Sequence, residues 1–262
     1  MANAVVLTEV DRRGVATVTL NRPEVNNAYN GDMILGLIEA FGKLGADSGV
    51  RVVVIRGNGR HFQAAADLKW IQSISKLSPD ENLQVSMNTT NAIRGLNEFP
   101  KPTFALVHGA CFGGGCGVVC CVDVALATPE AIFGLTEVRV GVAPTPISTH
   151  MVHAMGLRHT RRYALTGERF GAEEALRIGL VHEVVEADKA DARLAEIIDQ
   201  TMLSSPSAIA MTKDSFLGAN GLKLSAREMS LLAHESWMQR ASAEGREGLA
   251  AFREKRRPAW YR

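Results

Sequence analysis

The sequence predicts an α/β protein with a helical C-terminal region. In the first half of the chain, short strand-like runs alternate with stretches of helical periodicity, which is typical of a layered α/β core with crossover connections. From Pro146 onward the pattern is helical. The 262 residues are 46% hydrophobic and 22% charged, which is ordinary for a globular protein with a full core.

The predicted strands rest on alternation and on short apolar runs. Residues 15–20 (V-A-T-V-T-L) have a period of two, and residues 5–10 would pair with them through a turn at residues 11–14. Residues 51–56 (R-V-V-V-I-R) form an apolar run between turn signals, as expected of a buried strand. Two more strands are predicted, at residues 103–107 and 122–127.

The predicted helices rest on apolar residues that recur at helical spacing. Between Asp32 and Gly45 the apolar positions lie three or four residues apart, which favours an amphipathic helix. Similar patterns predict helices at residues 79–96, 187–203, 207–217, 224–239 and 243–255. We expect a core at residues 1–200 and a helical region at residues 201–262 that serves as a lid or as an oligomer interface.

Charge and cysteine content narrow the function classes. A formal net charge of +1 gives no global field toward nucleic acid or anionic membranes, so neither partner is expected. Residues 1–10 lack the features of a targeting signal, and no apolar run approaches the ~18 residues of a membrane span, so we expect a cytoplasmic protein. The four cysteines crowd into residues 111–121, which favours small core residues over disulfides or zinc ligands.

Two segments that follow predicted strands could bind an anion through backbone N–H groups. In residues 57–70 three alanines precede Asp67, a favourable N-cap where a helix would start. In residues 108–121 three glycines open an apolar helical stretch, without the spacing of a Walker loop or a dinucleotide fingerprint. A plain capped turn and a tightly packed glycine loop are the structural alternatives.

A third segment, residues 131–146, carries one carboxylate among apolar neighbours. Glu137 precedes Val138, Val140 and Val142. If it is partly desolvated, its pKa rises toward the range useful for acid/base catalysis. An exposed glutamate paired with Arg139 is the structural alternative. Trp70 and Met151 could line a pocket near these segments or simply pack in the core.

Six motifs in order resemble the crotonase (enoyl-CoA hydratase/isomerase) family over nearly the whole chain. The resemblance implies a spiral of ββα units, trimers that commonly dimerise into hexamers, and an acyl-CoA thioester as substrate, with no metal or further cofactor. The motifs are L-N-R-P-E-V-N-N-A (20–28), F-Q-A-A-A-D-L (62–68), F-G-G-G-C (112–116), F-G-L-T-E-V-R-V-G (133–141), A-L-R-I-G-L-V (175–181) and E-G-L-A-A-F-R-E-K-R-R-P (247–258).

The resemblance also implies residue roles. Ala66 and Gly114 match the positions whose backbone N–H groups bind the thioester oxygen, and Glu137 matches a catalytic glutamate. Residues that match the CoA site are Val25, Ala28, Ala64, Ala65, Ala66, Asp67, Leu68 and Gly114, together with Phe252 and Lys255, which often approach the nucleotide of a neighbouring subunit. The basic residues near the C-terminus (Arg253, Lys255, Arg256, Arg257 and Arg262) therefore either end a solvated helix or contact phosphates.

Three departures from the family pattern bear on the reaction. Gly117 stands where two-glutamate hydratases carry their first glutamate, Ala65 replaces a usual glycine, and T-P-I-S (145–148) replaces a usual glycine pair. With Gly117, the segment G-L-T-E-V-R-V-G-V-A-P is similar to the bacterial methylglutaconyl-CoA hydratase-like subgroup. Hydration of an α,β-unsaturated acyl-CoA by Glu137 alone is the leading hypothesis. Isomerisation of a 3-enoyl to a 2-enoyl thioester and a non-catalytic CoA-binding homologue are the alternatives.

Overall fold

The computed structural model describes residues 4–261. Residues 1–3 and Arg262, the last member of the basic C-terminal cluster, lie outside the described residues. The strands of the described part are β1 (Val6–Val10), β2 (Val15–Leu20), β3 (Val52–Gly57), β4 (Gln63–Ala64), β5 (Thr103–Val107), β6 (Ala110–Phe112), β7 (Val124–Ala127), β8 (Ile132–Gly134), β9 (Arg169–Gly171) and β10 (Glu183–Val184).

The helices lie between and after these strands. They are α1 (Gly31–Ala46), α2 (Leu68–Ile74), α3 (Pro79–Asn97), α4 (Gly114–Cys121), α5 (Ser148–Thr166), α6 (Ala172–Arg177), α7 (Ala190–Met202), α8 (Pro206–Ala219), α9 (Ala226–Ala241) and α10 (Ala243–Arg253). Short 3₁₀ turns occupy Pro23–Val25, Glu137–Val140 and Thr145–Ile147.

Two sheets alternate along the chain. The larger sheet has the order β1-β2-β3-β5-β7-β10, in which β1 and β2 are antiparallel and the other pairs are parallel. The smaller sheet has the order β4-β6-β8-β9. Since β3 leads into β4, β5 into β6 and β7 into β8, each turn of the chain places one strand in each sheet before a helix follows. The predicted α/β spiral of ββα units is confirmed.

The core lies between these layers. In the larger sheet Val18 and Ile55 are fully buried, and Phe62 and Phe133 of the second layer are buried with them. Cys111, Cys116 and Cys121 are buried and Cys120 is partly buried, all with free thiols, which confirms the prediction of small core residues. Burial raises the pKa values of the Cys111, Cys120 and Cys121 thiols, as expected away from water.

Helices α9 and α10 cover the region around residues 137–147. Helix α9 packs along α3 and against the 3₁₀ turn Thr145–Ile147, while α10 packs against the turn Glu137–Val140. Helices α3 and α9 each begin with a capping box, Ser78 with Glu81 and Ser225 with Glu228. Within residues 4–261, no residue of helix α8 is fully buried. Where the core ends and a separate helical region begins, at residue 200, stays a prediction.

One expectation about the second half of the chain was wrong. Strands β9 and β10 lie beyond Pro146, in the stretch predicted to be helical, because strands of two or three residues carry no measurable alternation. The six helices with predicted ranges agree with them to within a few residues, whereas α5 was predicted only as part of a helical stretch. Within residues 4–261, no helix is both long and apolar enough to cross a membrane.

Candidate active site

Three loops converge at one edge of the smaller sheet. Strands β4, β6 and β8 are parallel neighbours, with Ala64 opposite Phe112 and Phe112 opposite Gly134. The loops that follow their carboxyl ends therefore leave the sheet side by side. Crevices at the carboxyl ends of parallel strands are where α/β proteins commonly bind ligands.

Ala66 and Gly114 occupy equivalent places in the first two loops. Each lies two residues after one member of the Ala64–Phe112 pair. Neither of their N–H groups donates a hydrogen bond to a protein acceptor within residues 4–261. The bridge from Tyr29 to this loop uses the flanking groups instead: the Tyr29 N–H donates to the Ala65 carbonyl at 2.9 Å and the Asp67 N–H to the Tyr29 carbonyl at 2.8 Å. Two adjacent N–H donors are thus left for a ligand.

Glycine is required where the second loop meets the other two. Gly113 has φ 54° and ψ −116°, and a Cβ atom there would lie 2.8 Å from Glu137 Oε1 and 3.4 Å from Ala65 Cβ. A Cβ atom at Gly114 would lie 2.8 Å from Tyr29 Cε1. The absence of side chains lets the Glu137 carboxylate and the Tyr29 ring approach the backbone closely.

Glu137 is a desolvated carboxylate. Its Oε2 atom is buried and accepts no hydrogen bond within residues 4–261. Burial raises the pKa of Glu137 from 4.5 to about 7, although a hydrogen bond from its own backbone acts in the opposite direction. No ion pair joins it to Arg139 in the described part of the chain, so the exposed, paired alternative is wrong. A group with this pKa can both accept and donate a proton near neutral pH.

Tyr29 is a buried phenol whose pKa is affected by Glu137 and by the partly buried Arg240. Burial, together with the nearby Glu137 charge, raises the pKa of Tyr29 to about 12, while the Arg240 charge acts to lower it. The Trp70 ring meets the Tyr29 ring edge-on, with centroids 5.6 Å apart. The phenol is therefore neutral at physiological pH.

The first loop contains one residue in a strained backbone conformation, and an ion pair helps to hold the loop in place. Ala65 adopts φ 62°, a left-handed conformation that alanine seldom takes. Asp67 caps α2 by accepting from the N–H groups of Lys69 and Trp70, and Arg22 Nη2 lies 2.7 Å from its carboxylate. Burial alone would raise the pKa of Asp67, but these hydrogen bonds leave it below its ordinary value. The predicted N-cap is confirmed.

Similarity to known proteins identifies the family. A family model described as enoyl-CoA hydratase/isomerase matches residues 11–262. The chain belongs to the enoyl-CoA hydratase/isomerase family. The resemblance inferred from the six motifs is thereby confirmed, whereas the methylglutaconyl-CoA subgroup stays a prediction.

Members of the enoyl-CoA hydratase/isomerase family match more than nine tenths of this chain. The short-chain-enoyl-CoA hydratase of Clostridium acetobutylicum is 30% identical over 93% of this chain and 92% of its own length. The crotonyl-CoA hydratase of Syntrophomonas wolfei is also 30% identical, over 93% of both chains. A crystal structure of an enoyl-CoA hydratase from Mycobacterium avium is 33% identical, with a TM-score of 0.87 over 99% of this chain and 100% of that one.

Most of the residues predicted to bind CoA in this family member lie together. The Ala64 N–H donates to the Asn26 carbonyl at 3.0 Å, and Arg22 Nη1 donates to the Ala28 carbonyl at 2.6 Å while its other arm holds Asp67. The Val25 to Ala28 turn is thereby joined to the Ala64 to Leu68 loop. These contacts bring the predicted residues of both segments to one surface.

Phe252 and Lys255 lie apart from those loops. Both are exposed, near the end of α10, and neither forms a hydrogen bond to the two loops within the described part of the chain. Two of the neighbouring cations serve local ion pairs: Arg256 with Glu247 and Glu254, and Arg253 with Glu254. Lys255 and Arg257 make no ion pair within residues 4–261, and the Arg257 guanidinium lies over the Tyr261 ring, so the predicted contact of Lys255 with phosphate stays a prediction.

The space beside Gly117 is filled by the side chain of Ile147. A Cβ atom at this buried glycine would lie 2.4 Å from Cγ2 of Ile147, which is 4% exposed. Where two-glutamate hydratases place a first carboxylate, this family member places an isoleucine side chain. Within residues 4–261, Glu137 is the one carboxylate that meets the glycine loop.

Three residues of this region were not predicted from sequence. Tyr29 directly follows the L-N-R-P-E-V-N-N-A motif, but nothing in the sequence around it indicates that its side chain lies in the site. Ile147 lies in a turn without periodicity. Arg240 did carry a signal, because it continues the buried face of α9 at the spacing of Met229, Ala233 and Ser236. Met151 packs in the core at 1% exposure, and Trp70 lies against Tyr29.

Proposed function

We propose that the protein hydrates an α,β-unsaturated acyl-CoA thioester, with Glu137 as its acid/base group. The observation that carries this proposal is the buried Glu137 carboxylate, which meets the glycine loop directly beside the free Gly114 N–H. The two relatives named as short-chain-enoyl-CoA and crotonyl-CoA hydratases support the same reaction.

The two free amides supply the electrostatic part of the mechanism. Addition of water to the β-carbon places negative charge on the thioester oxygen, and the N–H groups of Ala66 and Gly114 would donate to that oxygen. Preorganised donors of this kind are worth roughly 3 to 4 kcal/mol each in other oxyanion holes. Glu137 would take a proton from the attacking water and return one to the α-carbon, so no second carboxylate is required.

Substrate binding would use both separated groups of residues. The CoA moiety would lie over Val25, Ala28 and the loop from Ala64 to Leu68, with Phe252 and Lys255 reaching its nucleotide from a neighbouring subunit of a trimer or hexamer. CoA is part of the substrate, and the proposed steps use no metal or other cofactor. A cytoplasmic location stays a prediction.

Isomerisation of a 3-enoyl-CoA is the second candidate function. The contact between Gly117 and Ile147 favours it, because one carboxylate can remove and return the same proton without positioning water. A non-catalytic CoA-binding homologue is the third candidate. The desolvated Glu137 argues against it, because its raised pKa suits an acid/base group.

Product analysis separates these candidates. Crotonyl-CoA and 3-hexenoyl-CoA are incubated with the protein and with Glu137→Gln, and the products are resolved by mass spectrometry. Hydration adds the mass of one water to crotonyl-CoA, whereas isomerisation leaves the mass of 3-hexenoyl-CoA unchanged and creates the conjugated thioester absorbance. If neither thioester is converted and both bind, the non-catalytic reading replaces the proposal.

A further inference from the structure

The phenol of Tyr29 lies against the glycine loop next to the Glu137 carboxylate. A Cβ atom at Gly114 would lie 2.8 Å from Cε1 of Tyr29 and 3.6 Å from Cζ, the atom that carries the hydroxyl. A Cβ atom at the preceding residue, Gly113, would lie 2.8 Å from Glu137 Oε1. The phenol and the carboxylate therefore meet consecutive residues of one loop, whose Cα atoms are about 3.8 Å apart.

The position of this phenol is fixed from both loops that supply a free N–H group. The N–H and the carbonyl of Tyr29 both form hydrogen bonds with the first loop, at Ala65 and Asp67. Its ring meets the second loop at Gly114, and the Trp70 ring supports it edge-on. A side chain held in this way has one preferred orientation before any ligand arrives.

The hydroxyl of Tyr29 is left without a partner. It forms no hydrogen bond with any group of residues 4–261, and its pKa of about 12 keeps it protonated throughout the neutral range. Glu137 Oε2 likewise has no partner in the described part of the chain. A phenol can both donate and accept a hydrogen bond, and a bound water typically makes two to four. The two groups together therefore suit one water molecule.

Hydration by a single carboxylate needs such a second contact to the water. Glu137 takes one proton while the water oxygen bonds to the β-carbon and the π electrons move to the thioester oxygen. The other O–H of the water requires an acceptor to hold it in line. Gly117 has no side chain to offer, and Ile147 fills the space beside it with an apolar group.

Two other polar side chains near these loops are directed elsewhere. The Oε1 atom of Gln63 also lacks a partner within residues 4–261, but it meets Gly115, two residues beyond the glycine that contacts the carboxylate. The Nε1 atom of Trp70 lies 3.2 Å from the place of a Cβ atom at Gly31, at the start of α1. Tyr29 is closer to the carboxylate along the loop than Gln63 is.

We propose that the Tyr29 hydroxyl accepts a hydrogen bond from the attacking water and holds this water against Glu137. The inference rests on the proposed function, since it assigns a group to the water of the hydration reaction. The water gives one proton to Glu137 and keeps the other, which becomes the hydroxyl hydrogen of the 3-hydroxyacyl product. Tyr29 itself exchanges no proton. Because it contacts the water and not the thioester, its loss lowers kcat and leaves KM nearly unchanged.

Two reactions of the same site separate water positioning from a structural role. Hydration of crotonyl-CoA needs the water, whereas exchange of the α-protons of butyryl-CoA in D₂O needs only Glu137 and the two N–H donors. Tyr29→Phe removes the hydroxyl and keeps the ring against Gly114. We expect it to lower kcat of hydration at least about tenfold, the typical effect of a lost hydrogen bond in a desolvated site, and to keep the exchange rate within about twofold of wild type.

Two further variants serve as controls. Tyr163→Phe makes the same change at a tyrosine of α5 whose hydroxyl donates to Glu174, and it should leave the ratio of hydration to exchange at the wild-type value. Gln63→Met removes the competing carboxamide and should also leave this ratio unchanged. Absorbance of the enoyl thioester measures hydration, mass spectrometry measures deuterium uptake, and thermal unfolding verifies that each variant is folded.

The other possible results distinguish the two proposals. Hydration by Tyr29→Phe at the wild-type rate overturns the inference and leaves the proposed function standing. Equal decreases in hydration and exchange also overturn it, because the phenol then supports the loops and not the water. A wild type that exchanges α-protons but hydrates no enoyl-CoA refutes the proposed hydration and the water assignment together, while Glu137 keeps its acid/base role. Absence of both reactions contradicts the role of Glu137 as well.

Discussion

Burial holds the pKa of Glu137 near 7, so this carboxyl group is about half ionised at neutral pH. If its carboxylate form starts the reaction, kcat/KM falls about tenfold per pH unit below that value. Glu137→Gln keeps the shape of the side chain and should lower kcat by roughly 10²-fold or more while CoA binding survives. Initial rates between pH 5 and 9 provide both measurements. Turnover of Glu137→Gln near the wild-type level contradicts the assignment.

The same pKa links Glu137 to stability. Its folded pKa of about 7 lies above the unfolded value of 4.5, so the native state binds the extra proton between these limits. The free energy of unfolding therefore decreases as pH rises from about 4.5 to 7, by at most about 3 kcal/mol. Glu137→Gln lacks this titration. Its free energy of unfolding in urea should therefore increase relative to that of wild type between pH 4.5 and pH 8. A constant difference between the two proteins would argue against a desolvated carboxylate.

Ala65 offers a test of strain in the first loop. A non-glycine residue at φ 62° costs roughly 1 to 2 kcal/mol, and glycine recovers it less the entropy of a freer unfolded chain. Ala65→Gly should thus raise the free energy of unfolding by about 0.5 to 1 kcal/mol. Ala64→Gly, in strand β4, is the matched control and should lower it. Destabilisation by both substitutions would show that the Ala65 methyl group contributes more through packing than it costs in strain.

Some residues of the site could be predicted from sequence and others could not. Asp67 was predicted as an N-cap because side-chain chemistry and position in the chain suffice for that inference. The desolvation of Glu137 was anticipated from its apolar neighbours. Ile147 opposite Gly117 could not be anticipated, because their contact joins residues thirty positions apart through the packing of a turn on α4.

At the scale of elements, α4 and the turn Thr145–Ile147 are packed without spare volume. Gly117→Ala should cost about 1 to 3 kcal/mol by overpacking against Ile147. Ile147→Ala removes the opposing side chain, so the double variant should be more stable than the sum of the two single changes predicts. A double-mutant cycle by urea unfolding measures this coupling. Strict additivity would mean that the two residues do not contact each other.

The same pair of elements decides whether a second carboxylate can be introduced. Gly117→Glu alone should unfold or misplace α4, since Ile147 occupies the required volume. In an Ile147→Ala background the new glutamate gains space, and hydration of crotonyl-CoA should rise because two carboxylates can divide water activation and α-carbon protonation. Unchanged hydration by a folded double variant would show that residue 117 does not face the reacting carbons.

Secondary structure was predicted correctly for elements that were long enough to show a periodic pattern. Residues 15–20 and 103–107 were predicted as strands and form β2 and β5, because four or more residues suffice to show alternation or an apolar run. Strands β4, β6 and β8 have two or three residues and were not predicted. These short strands position the candidate site, so its residues were predicted from the family resemblance and could not be predicted from periodicity.

For the whole molecule, the exposed face of α8 predicts self-association. Met211 and Phe216 are 74% and 66% exposed, and no residue of α8 is fully buried within residues 4–261. Exposed apolar side chains concentrated on one helix usually mark an interface. Light scattering at micromolar concentration should therefore give the mass of a trimer or hexamer. The mass of a single chain would contradict the predicted assembly.

The parallel pairing of β4 with β6 also determines the spacing of the backbone N–H groups that follow the two strands. Neighbouring strands lie about 4.8 Å apart, a span across which two donors can each reach one oxygen at about 3 Å. The separation of the Ala66 and Gly114 amides is thus inherited from the architecture, and the loop sequences have little influence on it. A substitution in these loops that preserves the backbone path would leave this spacing unaltered. A residue inserted between Ala64 and Ala66 should shift the Ala66 N–H relative to the Gly114 N–H, whereas a residue inserted before β4 should leave their spacing unchanged.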